Sequence, residues 1–251
     1  MNCLSQIVEG CTYALEQLGL YEPEINIDQA KNRLRKEKEI WEKNQVNRAE
    51  LWNDFQENNK TRGRLSPLVE KAINHFNIRN FRKGVAVDLG CGISHTTFNL
   101  LRRGWKVYAV DSSEFVINNL TNKVVKMRNK WIENGQLVLV NQSIEKFDYS
   151  ENVHLIIATD SLPYCDPEEI CNILLKAKNA LLPQGILVCS LIPQYDNPVD
   201  DNRLREKFGA WMTTKNVVEA VMKSVDFSSW SVVEVESPCG LVKQFHVYAY
   251  A

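Results

Sequence analysis

The stretch Val85-Ala86-Val87-Asp88-Leu89-Gly90-Cys91-Gly92 decides the fold. Four of its first five residues are apolar, two of them the β-branched Val85 and Val87, which is typical of a buried strand. The glycines that follow let the backbone turn and come close to a ligand at the carboxyl end of the strand. A helix predicted from about Ser94 offers amides that suit a carboxylate or a phosphate. Asp88 is placed to meet a cationic amino group.

Outward from this stretch, short apolar runs alternate with helical segments. The runs are Gly84–Leu89, Lys106–Val110, Gln136–Val140, His154–Ala158, Gly185–Leu191, Ser231–Val235 and Val242–Ala249. Strands that alternate with helices imply right-handed crossovers, so we expect an α/β fold with a doubly wound, mostly parallel, seven-stranded sheet. Only Glu236–Leu241 separates the last two runs. That length is too short for a helical crossover and predicts a C-terminal antiparallel hairpin.

The sequence before this domain is polar and predicted to be helical. Apolar residues at helical spacing predict one helix over residues 3–19, and a charged second helix is predicted from about Asp28 to about Asn58. A loop and a short helix, Leu68–Phe76, then lead into the core. We therefore predict a helical N-terminal extension over residues 1–62, acting as a lid or packing on the core, and one domain over residues 63–251.

Composition excludes several classes of partner. Lys+Arg 30 against Asp+Glu 31 leaves a net charge of -1, so there is no basic surplus for nucleic acid. Seven cysteines, an odd number without a C-x-x-C pair, argue against a disulfide framework and against a metal site. No apolar run reaches the roughly 18 residues of a membrane span, and the first residues lack the features of a signal peptide. We expect a cytoplasmic protein. The sequence does not indicate its oligomeric state.

The glycine loop has two other interpretations. A dinucleotide-binding loop has a third glycine where this chain has His95, and an acid before the turn sits badly near a pyrophosphate. A purely structural turn is the other alternative. Asp111 ends the second predicted strand, where a carboxylate can accept two hydrogen bonds from ribose hydroxyls. Its alternative role is to cap the following helix, for which Asp111 and Ser112 are both suited.

From about residue 66 onward, the sequence resembles the class I S-adenosylmethionine-dependent methyltransferases, which have a seven-stranded Rossmann-like fold. Gly84–Gly92 is similar to the first motif of that family, and Asp111 to its ribose-binding acid. Leu181–Val188 looks like the family's turn into the fifth strand, with Gln184 in place of a glycine. The predicted hairpin fits the reversed strands six and seven of the family. Residues 1–60 have no counterpart in the resemblance.

The resemblance implies S-adenosylmethionine as cofactor, with S-adenosylhomocysteine as product. The residues it implies for cofactor binding are Asp88, Gly90, Cys91, Gly92, Asp111, Ser112, Gln142, Ser143, Ile144, Thr159 and Leu162. Ser143 departs from the family, which often has an acid there to bond the adenine amino group. Gln142 and the backbone amide of Ile144 are the alternatives for this contact.

A narrower likeness concerns small bacterial methyltransferases, including the tellurite-resistance and thiopurine types. Ala158–Cys165 looks like a variant of their fourth motif, and Phe245–Val247 resembles a segment of their last strand. Asp160 and Tyr164 are candidates for a catalytic base, with shaping of the pocket as the alternative. His246 is expected to be a core or pocket-wall residue. Phe208–Thr214, which contains Trp211, is a candidate to close over an acceptor.

The predicted function is methyl transfer from S-adenosylmethionine to a small-molecule acceptor. The reaction is an in-line displacement on an activated donor, so alignment and exclusion of water contribute much of the catalysis. A base is needed only where the acceptor must lose a proton, and the catalytic residues stay unassigned. Two alternatives stand beside this prediction: a protein methyltransferase that docks through residues 1–60, and an inactive S-adenosylmethionine-binding regulatory protein.

Overall fold

A computed structural model of the chain describes residues 23–45, 65–78, 84–93, 95–150, 152–194, 205–206, 209–236 and 243–251. Seven strands form one sheet. They are β1 (Val85–Leu89), β2 (Lys106–Asp111), β3 (Leu137–Asn141), β4 (Val153–Ala158), β5 (Leu181–Leu191), β6 (Ser229–Glu236) and β7 (Lys243–Tyr250). The α-helices are α1 (Ile27–Lys43), α2 (Pro67–Ile78), α3 (His95–Arg102), α4 (Glu114–Arg128), α5 (Lys130–Glu133), α6 (Ile170–Ala180) and α7 (Lys215–Val225). Short 3-10 helices span Ile144–Lys146, Leu162–Tyr164 and Pro167–Glu169.

The sheet has the order β3-β2-β1-β4-β5-β7-β6. Strands β1 to β5 run parallel, and β7 pairs antiparallel with both β5 and β6. This confirms the doubly wound sheet with a reversed C-terminal pair of strands. Because the chain leaves β1 for β2 on one side and later places β4 on the other, the carboxyl end of β1 lies at the topological switch point, where such sheets bind ligands.

Alternate residues of β1 enter two separate hydrophobic cores. Val87 packs in the core that includes residues of α1, α6 and α7, whereas Ala86 packs in the core with α2, α3 and α4. Both residues are buried, at 1% and 0% exposure. Helices on both faces explain why the central strands read as continuous apolar runs.

Strand β5 begins four residues earlier than the predicted Gly185, because Leu181 already pairs with Val153 of β4 before an irregularity in the register. Gln184 has a φ of 67°, in the left-handed region. This conformation explains why the related turn favours glycine at that position.

Helix α1 ends earlier than the predicted limit near Asn58. Its start is fixed by a capping box between Asn26 and Gln29. Its end is fixed at Lys43, because Asn44 donates through its side chain to the Ile40 carbonyl and Gln45 donates to the Trp41 carbonyl. These bonds satisfy carbonyls that a continuing helix would have used. The prediction of one unbroken helix was therefore wrong.

Several other predictions fall outside the described residues. They are the helix over 3–19, the loop before residue 64, the start of a helix at Ser94, the hairpin turn over 237–242 and the part of the acceptor-closing segment at Phe208.

The described segments hold no group of three or more His, Cys, Asp or Glu side chains arranged to bind a metal. In the same segments no helix is long and apolar enough to cross a membrane.

Candidate active site

The glycine loop after β1 is packed tightly against the loop after β4. Gly90 has a φ of 66° and Gly92 a φ of 50°. A Cβ atom on Gly90 would lie 2.5 Å from Ser161 Cβ and 3.5 Å from Ile144 Cδ1. No real side chain fits at 2.5 Å, so only glycine allows the loops after β1, β3 and β4 to meet. The structure thus brings Gly90 and Ile144 together.

The amides of this loop are already used within the protein. The Cys91 N–H donates to the Val110 carbonyl at 2.9 Å, and the Gly92 N–H donates to Asp111 Oδ2 at 2.9 Å. Burial raises the pKa of the Cys91 thiol, and the neighbouring Asp88 and Asp111 raise it further. Cys91 is buried, and its predicted contact with the cofactor stays a prediction.

Asp111 links two of the loops through its carboxylate. Besides the Gly92 contact, Oδ1 accepts from the Ser113 N–H at 2.9 Å. The cap of α4 is Ser113, whose hydroxyl accepts from the Val116 N–H at 3.3 Å, so the capping alternative for Asp111 was wrong. Burial raises the pKa of Asp111, while the two N–H bonds lower it. Each carboxylate oxygen has a second lone pair, which leaves capacity for two ribose hydroxyls.

The Asp88 carboxylate is held by a hydrogen bond from a residue of α3. It is 3% exposed, and its Oδ2 accepts from the Thr97 hydroxyl at 2.7 Å. Its predicted contact with a cationic amino group is not tested by this bond and stays a prediction.

The loop after β3 is fixed mainly by Asn141, a residue that sequence reasoning missed. Its amide donates to the carbonyls of Asp111, at 3.1 Å, and Ser112, at 3.0 Å. The Gln142 side chain donates to the Lys146 carbonyl at 3.1 Å, so it closes its own turn. Ser143 precedes that turn and is half-buried. This bond uses the Gln142 amide nitrogen and not the oxygen that would accept from an adenine amino group, so the adenine contact stays a prediction.

The loop after β4 carries an exposed carboxylate beside half-buried Thr159. The Asp160 N–H donates to Ser190 Oγ at 2.7 Å, and Asp160 Oδ1 accepts from Gln244 Nε2 at 2.6 Å. Gln244 Oε1 in turn lies 3.4 Å from His246 Nε2. His246 is thus a half-buried wall residue, as expected. Ser190 and Gln244 escaped prediction because they are distant from Asp160 in sequence.

Leu162 and Trp211 lie in the core and not on an open surface. Leu162 is 0% exposed and Trp211 is 1% exposed. The Trp211 indole donates to the Leu162 carbonyl at 3.1 Å. Burial and this hydrogen bond fix the Trp211 side chain in the protein interior. The expectation that Phe208–Thr214 closes over an acceptor stays a prediction. Tyr164 is half-buried and packs on Ile192, Ala210 and Met212.

Ser161 is a site residue that was not predicted. It is 6% exposed, and its hydroxyl has no hydrogen-bond partner within the part of the chain that the structure describes. A buried hydroxyl without a partner is costly unless a ligand or water satisfies it. Ser161 lies against Gly90, so the missing partner belongs at the carboxyl end of β1.

A residue of α1 holds the segment that connects β5 to α7. Glu37 is buried, and its carboxylate accepts from Arg205 at 2.5 and 3.0 Å. It also accepts from the Gln194 side chain at 3.0 Å and from the Met212 N–H at 3.3 Å. One helical carboxylate therefore fastens the connection between β5 and α7. The described part of the N-terminal extension packs on the domain.

Residues 86–185 match the model of a family described as a methyltransferase domain. This match and the sheet topology support a class I S-adenosylmethionine-dependent methyltransferase. The matched segment runs from β1 into β5 and contains every predicted cofactor-binding residue.

Relatives and solved structures agree with this assignment. A carboxy-S-adenosyl-L-methionine synthase of Shewanella sp. strain ANA-3 is 24% identical over 173 residues, which cover 63% of this chain and 69% of that protein. The 1,6-didemethyltoxoflavin-N1-methyltransferase of Burkholderia thailandensis has a TM-score of 0.55 at 16% identity, covering 73% of this chain and 78% of that one. TehB from Haemophilus influenzae has a TM-score of 0.55 at 18% identity, covering 72% and 61%. At these identities the structural likeness shows the fold.

The donor site of this methyltransferase fits S-adenosylmethionine. The carboxyl ends of β1 and β2 form the donor cradle, where Gly90 lets the loops after β1 and β4 meet. Ser161 supplies a buried hydroxyl there that has no partner among the described residues, and each Asp111 carboxylate oxygen keeps a second lone pair. These groups lie at the switch point of the sheet, and together they suit a ligand with a sugar and a polar tail.

Proposed function

We propose that this enzyme transfers a methyl group from S-adenosylmethionine to a small-molecule acceptor. The observation that supports a small acceptor is a wall beside the donor cradle, formed by α1 and the connection between β5 and α7. The buried Glu37–Arg205 pair fastens α1 to the connection after β5, and Trp211 fastens the same connection to the loop after β4. A wall made of the chain's own helix and loops favours an acceptor small enough to enter the crevice.

The similar proteins support a small acceptor. The Burkholderia thailandensis structure was solved with 1,6-didemethyltoxoflavin and S-adenosylhomocysteine bound. We also propose that the enzyme is cytoplasmic and has no nucleic-acid partner.

When bound, S-adenosylmethionine supplies a methyl group that its sulfonium charge already activates. The residues of this chain hold and align the reactants. Asp111 accepts hydrogen bonds from the ribose, the glycine loop lets the backbone approach, and Ser161 satisfies a polar group of the donor. The loop after β4 presents the acceptor from the opposite side, so alignment supplies much of the rate.

The test uses the intact protein with methyl-labelled S-adenosylmethionine and a cell extract separated into a low-molecular-weight filtrate and a protein fraction. Label in filtrate compounds is the expected result. Label in polypeptide alone would show a protein methyltransferase. Binding without label in either fraction would show a regulatory protein, and the absence of binding would overturn the proposal.

The Shewanella relatives favour a second candidate, in which S-adenosylmethionine itself is modified. Mass spectrometry of the nucleoside pool after the same incubation separates the two. Accumulation of S-adenosylhomocysteine supports methyl transfer, whereas a heavier S-adenosylmethionine derivative supports the second candidate.

A further inference from the structure

Asp160 is a carboxylate held in position although it is exposed. Its φ of 55° is in the left-handed region, which is uncommon for a residue other than glycine and occurs often at functional sites. The buried Ser190 hydroxyl accepts from the Asp160 N–H at 2.7 Å and lies 3.5 Å from Oδ1. The carboxylate therefore has a fixed place at the carboxyl end of β4.

Gln244 and His246 orient toward this carboxylate. The Gln244 nitrogen must face Asp160 Oδ1, because two oxygens at 2.6 Å would repel each other. Its oxygen then faces His246 Nε2, which must carry the hydrogen. Burial lowers the pKa of His246, against an opposing effect of Asp160. The imidazole thus donates to Gln244, and Gln244 donates to Asp160.

This arrangement leaves one side of the carboxylate for a ligand. Among the described residues, Oδ1 receives the hydrogen bonds and Oδ2 receives none. No lysine or arginine of the described segments forms an ion pair with Asp160. The next residue, Ser161, supplies a second sign of a ligand, since its hydroxyl is buried beside Gly90 and has no partner among the described residues.

We infer, building on the proposed function, that Asp160 binds the acceptor and that the acceptor is a small amine. A carboxylate that forms no ion pair with the described lysines and arginines attracts an N–H group or a cation and repels carboxylate and phosphate acceptors. A carboxylate is also too weak a base to ionise an aliphatic hydroxyl. A neutral amine needs no such ionisation, because its lone pair is available.

The movement of charge during methyl transfer fits an acceptor nitrogen that lies beside Asp160. The nitrogen lone pair forms the new N–C bond, and the electrons of the broken S–C bond stay on sulfur. Positive charge moves from sulfur to nitrogen, and the methylated product leaves as the ammonium ion or releases one proton to water. Asp160 accepts a hydrogen bond from the nitrogen and stabilises the charge that develops there. Gln244 and Ser190 position the carboxylate.

The experiment compares Asp160→Asn with Asp226→Asn. Both aspartates are exposed and left-handed, with φ values of 55° and 61°, but Asp226 caps the far end of α7. Asparagine tolerates that conformation and keeps the oxygen that accepts from Gln244, so both variants should fold. The probe is methyl-labelled S-adenosylmethionine with the low-molecular-weight filtrate, whose products are separated on cation- and anion-exchange resins.

We expect wild type and Asp226→Asn to label compounds that the cation-exchange resin retains. We expect Asp160→Asn to lose at least about tenfold of that label while its dissociation constant for S-adenosylhomocysteine changes less than about twofold. Label in anionic or neutral compounds overturns the amine assignment. Equal labelling by both variants, or equal loss of donor binding in Asp160→Asn, overturns the acceptor role. No label in the filtrate with any variant overturns the proposed function instead.

Discussion

The two halves of the carboxyl edge of the sheet are built in different ways. On the donor half, at the ends of β1, β2 and β3, the polar side chains bond mostly to backbone that is 2 to 30 residues away: Asp111 holds Gly92 and Ser113, and Asn141 holds Asp111 and Ser112. On the acceptor half, side chains hold other side chains over long sequence separations. Gln244 is 84 residues from Asp160, and Arg205 is 168 residues from Glu37.

The difference shows which part of such an enzyme is free to change. Backbone contacts depend on a few glycines and acids at fixed spacing, so the donor half keeps a recognisable motif. Contacts between distant side chains can be exchanged in pairs, so the acceptor half can vary while the fold stays the same.

Breaking a long-range contact of the acceptor half should have the largest effect on stability. Glu37→Gln leaves the buried Arg205 without its counter-charge, so we expect a loss of about 3–5 kcal/mol in the free energy of unfolding. Urea denaturation followed by tryptophan fluorescence measures it. Glu168→Gln is the control, because exposed Glu168 pairs with exposed Arg35 and half-buried Lys38 at the surface, and such pairs should contribute about 0–1 kcal/mol. Equal effects of both changes would mean that the Glu37 contacts do not stabilise the wall.

The close approach of the donor half can be tested at Gly90. Gly90→Ala should cost about 1–2 kcal/mol for its left-handed backbone and about 1–3 kcal/mol more for the overlap with Ser161. Gly135→Ala is a matched control, because its φ is 68° and nothing lies within 4 Å of the added Cβ. Thermal unfolding of both variants gives the difference. If the two lose the same stability, the contact between the loops after β1 and β4 is not tight.

The smallest expected effect is at Ser161. Ser161→Ala removes a hydroxyl that has no partner within the described residues, so we expect stability to change by no more than about 0.5 kcal/mol. Affinity for S-adenosylmethionine should fall by about 1 kcal/mol, or roughly fivefold, because one hydrogen bond to the donor is lost. Calorimetric titration measures it. Ser190→Ala should show the reverse pattern, with lower stability and unchanged donor affinity, since Ser190 bonds to Asp160.

The sequence allowed much of the donor half to be predicted and little of the acceptor half. The strand order follows from alternating runs and crossover rules, and Gly90 and Asp111 were recognisable because strand ends and glycines are local features. Ser190, Gln244 and Glu37 had no local signal, since their roles depend on β5, β7 and α1 coming together. The end of α1 was missed because side-chain bonds of Asn44 and Gln45, and not a glycine or proline, terminate it.

The separation of the two halves is tested most directly by titrating S-adenosylhomocysteine into wild type, Asp111→Asn and Asp160→Asn by calorimetry. Asparagine at 111 can accept through only one atom, whereas Asp111 accepts through two. We predict binding by wild type, equal binding by Asp160→Asn, and at least about tenfold weaker binding by Asp111→Asn, which corresponds to about 1.4 kcal/mol. Absence of binding by wild type, or a loss of affinity in Asp160→Asn as large as in Asp111→Asn, would contradict the separation of the donor and acceptor halves.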